Sequence, residues 1–174
     1  HFFETLSKCG ALPSLFPTLS LSGQGYQQFQ EACHSGADAA QRLAVLLHDQ
    51  STKSLLSIIK AYRLPAAWAD VCRLTQAHAK VFPLLLSGEV DDLLQFFKKT
   101  DALRRPERFI YVIKTLSLCE KIGHTDLVEK LEYIVTELLD LDYSDIVAQK
   151  DPGPILAKKI QNRRRDLVKN LVNK

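Results

Sequence analysis

Apolar residues recur three or four positions apart through nearly every segment of this chain, while the strict alternation of a half-buried strand is almost missing. Ala40, Leu43, Ala44 and Leu47 fall on one helical face, as do Leu55, Ile58, Ile59 and Tyr62, and again Leu127, Leu131, Ile134 and Leu138. Seven glycines and seven prolines punctuate these stripes. Gly10 stops a first helix over His1–Cys9, Pro13 and Pro17 bracket a turn, and Ser20–Gly25 reads as a loop. Helices are expected over Tyr26–His34, Ala37–His48 and Lys53–Tyr62, and one with Pro65 in its first turn carries Trp68, Val71, Cys72 and Thr75. Ser87 is placed to cap Glu89–Lys99, Gly123 to end Phe109–Lys121, and Thr125 to cap Asp126–Leu139; a last helix starts at Asp151-Pro152-Gly153-Pro154 and runs towards Lys174. The expectation is an all-α chain, an irregular bundle or array of about eight helices with short loops, without the repeat period of a solenoid. Two subdomains are expected: 1–90, holding a His-Asp pair, and 91–174, ending in a basic helix.

Composition narrows the function classes. No apolar run approaches the roughly 18–20 residues that cross a bilayer, so no membrane role is expected. Cys9, Cys33, Cys72 and Cys119 are scattered without C-x-x-C spacing, which argues against a zinc site or a disulfide scaffold and fits a reducing cytoplasm. The chain has no methionine and opens on His1-Phe2-Phe3, already in an apolar pattern, which reads as a piece of a longer protein. No serine or cysteine has a credible base partner, so no catalytic residue is assigned. The order His34, His48-Asp49, Asp70 has the residue types of a metal site, but the expectation is no metal, with His48 and Asp49 capping or ending a helix. Tyr26, Phe29, Trp68 and Tyr111 fit core positions better than base-stacking ones.

The net charge is only +3, yet it is segregated. Asp126 to Asp145 is mostly acidic, whereas Lys158 to Lys174 is strongly basic. A second basic group surrounds Asp101–Phe109, D-A-L-R-R-P-E-R-F, which follows an apolar helical run that lifts Lys98 and Lys99 towards solvent. Pro106 belongs at a helix start, so Arg104, Arg105 and Arg108 gather at a junction between two helices. Arginines at such ends either cap carbonyls and pair with carboxylates, or face a ligand. In the last helix, Arg163 and Arg164 project on or beside the seam of Leu156, Ile160, Leu167 and Leu171, so at least one should pair with an acidic residue of 126–145.

Asp101–Phe109 resembles the helical region that follows the catalytic head in bacterial class II tRNA nucleotidyltransferases and their poly(A) polymerase relatives. Other segments agree in order: His1–Pro17 with its paired Phe and Gly-Ala-Leu, Arg42–Asp49 leading into His-Asp, Tyr62–Arg73, and the arginine run within Gly153–Val168. The resemblance implies that the chain is the helical body and tail of such an enzyme, gripping the acceptor arm of tRNA by backbone and shape. The head, with its paired carboxylates, Mg2+ and ATP or CTP, would lie outside this piece, which itself needs no cofactor. The family's His-rich stretch after His-Asp is absent, since His48-Asp49 runs directly into Gln50-Ser51-Thr52-Lys53.

An RNA helix offers phosphates and 2′-hydroxyls to exposed cations. The residues assigned to tRNA are therefore Lys98, Lys99, Arg104, Arg105 and Arg108, together with Lys158, Lys159, Arg163, Arg164 and Arg165. Two other readings remain open: a non-catalytic helical module for protein interaction or dimerisation, and a degenerate His-Asp phosphohydrolase.

Overall fold

The computed structural model describes residues 2–19, 21, 23–120 and 125–172. Among these there is no strand and there are eleven α-helices: α1 (Phe2–Lys8), α2 (Leu12–Leu15), α3 (Gln24–His34), α4 (Ala39–Leu47), α5 (Thr52–Ala61), α6 (Ala66–His78), α7 (Val90–Lys99), α8 (Pro106–Ser117), α9 (Thr125–Leu139), α10 (Ser144–Val147) and α11 (Gly153–Val172). The all-α expectation holds, with more helices than the expected eight or so. The additions include α2 and α10, four residues each, too short to show a periodic stripe.

Several boundaries move for identifiable reasons. Glu89, not Ser87, is the N-cap of α7, and the Ser87 hydroxyl instead donates to the Leu84 carbonyl. Asp38 caps α4 through a reciprocal capping box with Gln41. Pro65 is the N-cap of α6 rather than part of its first turn, and Thr125 is the first residue of α9 rather than its cap. Gly123, the expected stop after α8, lies outside the described residues, as do Ser20 and Ser22 of the expected loop. Gly10 does terminate α1, at φ +72°, with the Gly10 and Ala11 amides donating to the Ser7 and Leu6 carbonyls in a Schellman closure.

Two compact units emerge: His1–Phe82 with Val112–His124, and Pro83–Tyr111 with Thr125–Lys174. In the first, α4 packs against both α3 and α6, and its Ala44, Val45, Leu46 and Leu47 are buried with Leu55, Cys72 and Phe82. In the second, α11 packs on α7 and α9. Its core gathers Leu93, Phe96, Phe97, Phe109, Leu131, Ile134, Leu138 and Val168, with Phe109 edge-on to Phe96 and Phe97 at centroid distances of 5.8 and 5.5 Å.

Within the first unit the His-Asp pair joins two helix ends. His48 is the C-cap of α4, and its Nδ1 lies 2.7 Å from the Val45 carbonyl oxygen. Asp49 Oδ2 accepts the Gly25 amide at 3.2 Å, in the first turn of α3, whose own N-cap is Gly23 and brings no side chain. A carboxylate from the turn after α4 thus satisfies one of the orphan amides at this terminus and complements its dipole. The approach leaves no room: a Cβ on Gly25 would stand 2.9 Å from both the Leu46 carbonyl oxygen and Asp49 Oδ1.

Candidate nucleic-acid interface

The stretch Asp101–Phe109 divides its labour residue by residue. Asp101 adopts φ +57°, the left-handed conformation that closes α7, with the Asp101 and Ala102 amides donating to the Lys98 and Phe97 carbonyls. Aspartate is one of the few residues besides glycine that visits this region with little cost. The Thr100 hydroxyl donates back to the Phe96 carbonyl at 2.7 Å, and Arg108 Nη2 donates to the Thr100 carbonyl at 2.6 Å. Pro106 opens α8, where its missing amide costs nothing. Asp101 Oδ2 then accepts from Arg104 Nε at 2.9 Å and lies 3.6 Å from Arg105 Nε. Both arginines are exposed, as are Lys98 and Lys99, whereas Arg108 is half-buried and holds the junction.

The second basic cluster is tied more closely to the fold. Lys158 is exposed. Lys159 pairs with Asp151 at 2.5 Å and also donates to Gln149. Arg163 holds Asp145 with both terminal nitrogens, at 2.5 and 2.6 Å, and donates to the Asp142 carbonyl at 2.8 Å. This is the structural pairing with the acidic segment that the helical projection suggested. Arg164 Nε donates to the Tyr143 hydroxyl at 2.9 Å, with its guanidinium 5.6 Å from that ring's centroid. Arg165 Nη2 donates to Asp91 Oδ2 at 2.7 Å.

The bidentate hydrogen bond from Arg163 holds the Asp145 carboxyl below its ordinary value. A carboxylate with a depressed native pKa contributes stability that is fully present above its unfolded-state pKa and is lost as pH falls through the native one. The tie from α10 to α11 is therefore intact at neutral pH and released only under acid conditions. Carbon-detected NMR titration should find Asp145 titrating below the usual aspartate range, and Arg163→Ala should return it towards that range.

Arg164 and Arg165 share a cleft of about 530 Å³ with Lys98 and Arg104. The cleft lies within the second unit, and α7, the 101–104 turn, α9 and α11 form its walls. Leu94, Phe97, Leu103 and Leu138 supply apolar lining, and two carboxylates, Asp91 and Asp101, stand among the cations. Lys99, Arg105, Arg108 and Lys158 do not line it, and Lys159 and Arg163 line a separate, shallower depression beside Asp166. Sequence reasoning missed Asp91, Gln161 and Asn162 as lining residues. Asp91 is an acid in the first turn of α7, and nothing local in the sequence pairs that turn with α11.

Elsewhere the chemistry is sparse. Among the described residues no three His, Cys, Asp or Glu side chains converge as metal ligands. His34 Nδ1 lies 2.7 Å from the Gln30 carbonyl oxygen, while His48 and Asp49 serve the helix ends. Burial pushes the Cys72 thiol up to about 11 and the Cys119 thiol up as well, so neither is a thiolate at neutral pH. Among the described residues no helix is long and apolar enough to cross a membrane.

No family model and no solved structure matches the chain. Curated proteins do. The CCA-adding enzyme of Coxiella burnetii is 29% identical over 99% of this chain and 46% of its own length. A CCA-adding enzyme of Pseudomonas putida is 30% identical over 62% of the chain and 29% of its own length, and a multifunctional CCA protein from that species is 27% identical over 72% and 33%. The chain thus spans about half the length of the Coxiella relative, or less of the others. The resemblance carried by Asp101–Phe109 and its colinear neighbours therefore holds across nearly the whole chain, which is related to the CCA-adding tRNA nucleotidyltransferases.

Proposed function

We propose that this chain is the tRNA-holding helical portion of a CCA-adding enzyme, positioning the acceptor arm for nucleotide addition by a catalytic head outside these residues. The observation that carries the reading is the cleft that draws Lys98 and Arg104 together with Arg164 and Arg165. Cations gathered on a rigid helical wall suit the phosphates of an A-form helix, whose deep major groove excludes side chains. Lys99, Arg105 and Lys158, exposed outside the cleft, extend the positive surface; Arg108 and Arg163 serve mainly by holding it in shape. Mg2+ and ATP or CTP belong, in this reading, to the head and not to this chain.

The test is binding of a labelled acceptor-arm minihelix across a salt series. Binding at low ionic strength should weaken steeply as salt rises, and Arg104→Ala with Arg105→Ala should lower affinity and reduce the salt slope by about one unit per lost phosphate contact. Absent or salt-insensitive binding would sink the reading. If that result came with sedimentation at twice the chain mass, it would favour a dimerising module instead, for which Phe2, Leu15, Leu56, Tyr62 and Val81, all exposed on the first unit, are among the candidate apolar contacts.

A further inference from the structure

Two of the four cations lining the cleft do not face it unopposed. Arg165 is engaged by Asp91 at 2.7 Å and Arg104 by Asp101 at 2.8 Å, and both carboxylates are lining residues themselves. Each occupies the kind of position that an RNA phosphate oxygen would take on the same guanidinium. The Arg165–Asp91 pair is solvent-exposed, its side chains 55% and 61% accessible, and in the other pair Arg104 is 73% accessible while Asp101 is half-buried at 31%. Exposed pairs of this kind are weak enough to exchange for another anion.

Resting on the tRNA reading above, we infer that Asp91 and Asp101 are built-in phosphate mimics that set the selectivity of the cleft, admitting an RNA able to displace both carboxylates together and discouraging polyanions that engage one arginine at a time. With both acids present the lining carries four positive charges against two negative. A ligand that reaches only Arg104 or only Arg165 exchanges one ion pair for another and gains little. A duplex holds its phosphates at fixed separations, so it can meet both arginines without ordering itself first. A flexible single strand must lose conformational freedom to make the second contact. The mimics also keep the two guanidinium groups oriented in the free protein. Of the two, Asp101 is the more constrained, since its left-handed backbone also closes α7.

The experiment compares the whole chain with Asp91→Asn, Asp101→Asn and the double variant. Asparagine is chosen because it tolerates the left-handed conformation at 101 as aspartate does. Circular dichroism melts establish that each variant is folded. Two labelled probes are titrated at low and moderate salt: an RNA minihelix and a single-stranded RNA of equal length. The double variant should bind the single strand about threefold to tenfold tighter, the gain expected from releasing two exposed ion pairs. The minihelix should gain less, so that the preference for duplex shrinks, and the salt slope for the single strand should steepen. If the wild-type chain binds the minihelix while the double variant shows neither tighter single-strand binding nor reduced preference, the inference falls and the tRNA reading stands. If the wild-type chain ignores the minihelix, the tRNA reading falls, and the inference with it.

Discussion

Phe109→Ala lowers the stability of the second unit by about 3–5 kcal/mol, the cost of emptying a large site in a packed core. Phe109 is fully buried, and its ring is edge-on to both Phe96 and Phe97, so its removal takes dispersion contacts from two partners on α7. Relaxation is restricted because Pro106 and the Arg108 to Thr100 bond fix the start of α8. Amide hydrogen exchange over α7 and the first turns of α8 should accelerate accordingly, whereas Arg104→Ala, at an exposed site in the same motif, should alter those rates little. Equal effects from the two substitutions would mean that the motif is not partitioned as described. On the proposed tRNA role, minihelix binding by Phe109→Ala should fall as well, since α7 carries Lys98 on the cleft wall.

The second large effect belongs to Gly25→Ala, which should cost the first unit about 1–3 kcal/mol. Two terms oppose each other. Alanine gains up to about 1 kcal/mol over glycine within a helix. Against that, its methyl group meets the Leu46 carbonyl oxygen at 2.9 Å, a backbone atom that cannot swing aside, and Asp49 Oδ1 at the same distance. The clash should win, because moving α3 away also breaks the Asp49 to Gly25 hydrogen bond. The single tryptophan, Trp68, lies in α6 of this unit, so its fluorescence during urea unfolding reports the change. Gly153→Ala is the control: nothing lies within 4 Å of its Cβ position, and it should be neutral or slightly stabilising. A neutral Gly25→Ala would show that α3 and α4 adjust freely.

How much of this was legible beforehand follows from the range of each interaction. Helix type and most of the core were open to sequence reasoning, because the stripes of Leu93, Phe96 and Phe97 or Leu131, Ile134 and Leu138 are local patterns. The left-handed break at Asp101 carries no glycine to mark it, and the motif's strong helix breaker, Pro106, stands five residues further on. The cleft was out of reach. Lys98 and Arg165 meet only because α11 packs on α7, and nothing local in the sequence of either helix signals that pairing. The pairing of Arg163 could be anticipated in kind, from a cation projected onto an apolar seam, though not its partner Asp145.

The strut between Asp49 and Gly25 has a consequence for how chains of this lineage are interpreted. His-Asp is a signature on which metal-dependent hydrolases are recognised, yet here the aspartate closes a helix end and the histidine finishes another. Retention of such a dyad under mutation therefore measures architectural dependence as readily as enzymatic dependence. Substitution tolerance separates the two histories: at 49, asparagine should replace aspartate at the modest cost of the lost dipole interaction, because its carbonyl oxygen still reaches the amide, whereas a metal site would require the charge.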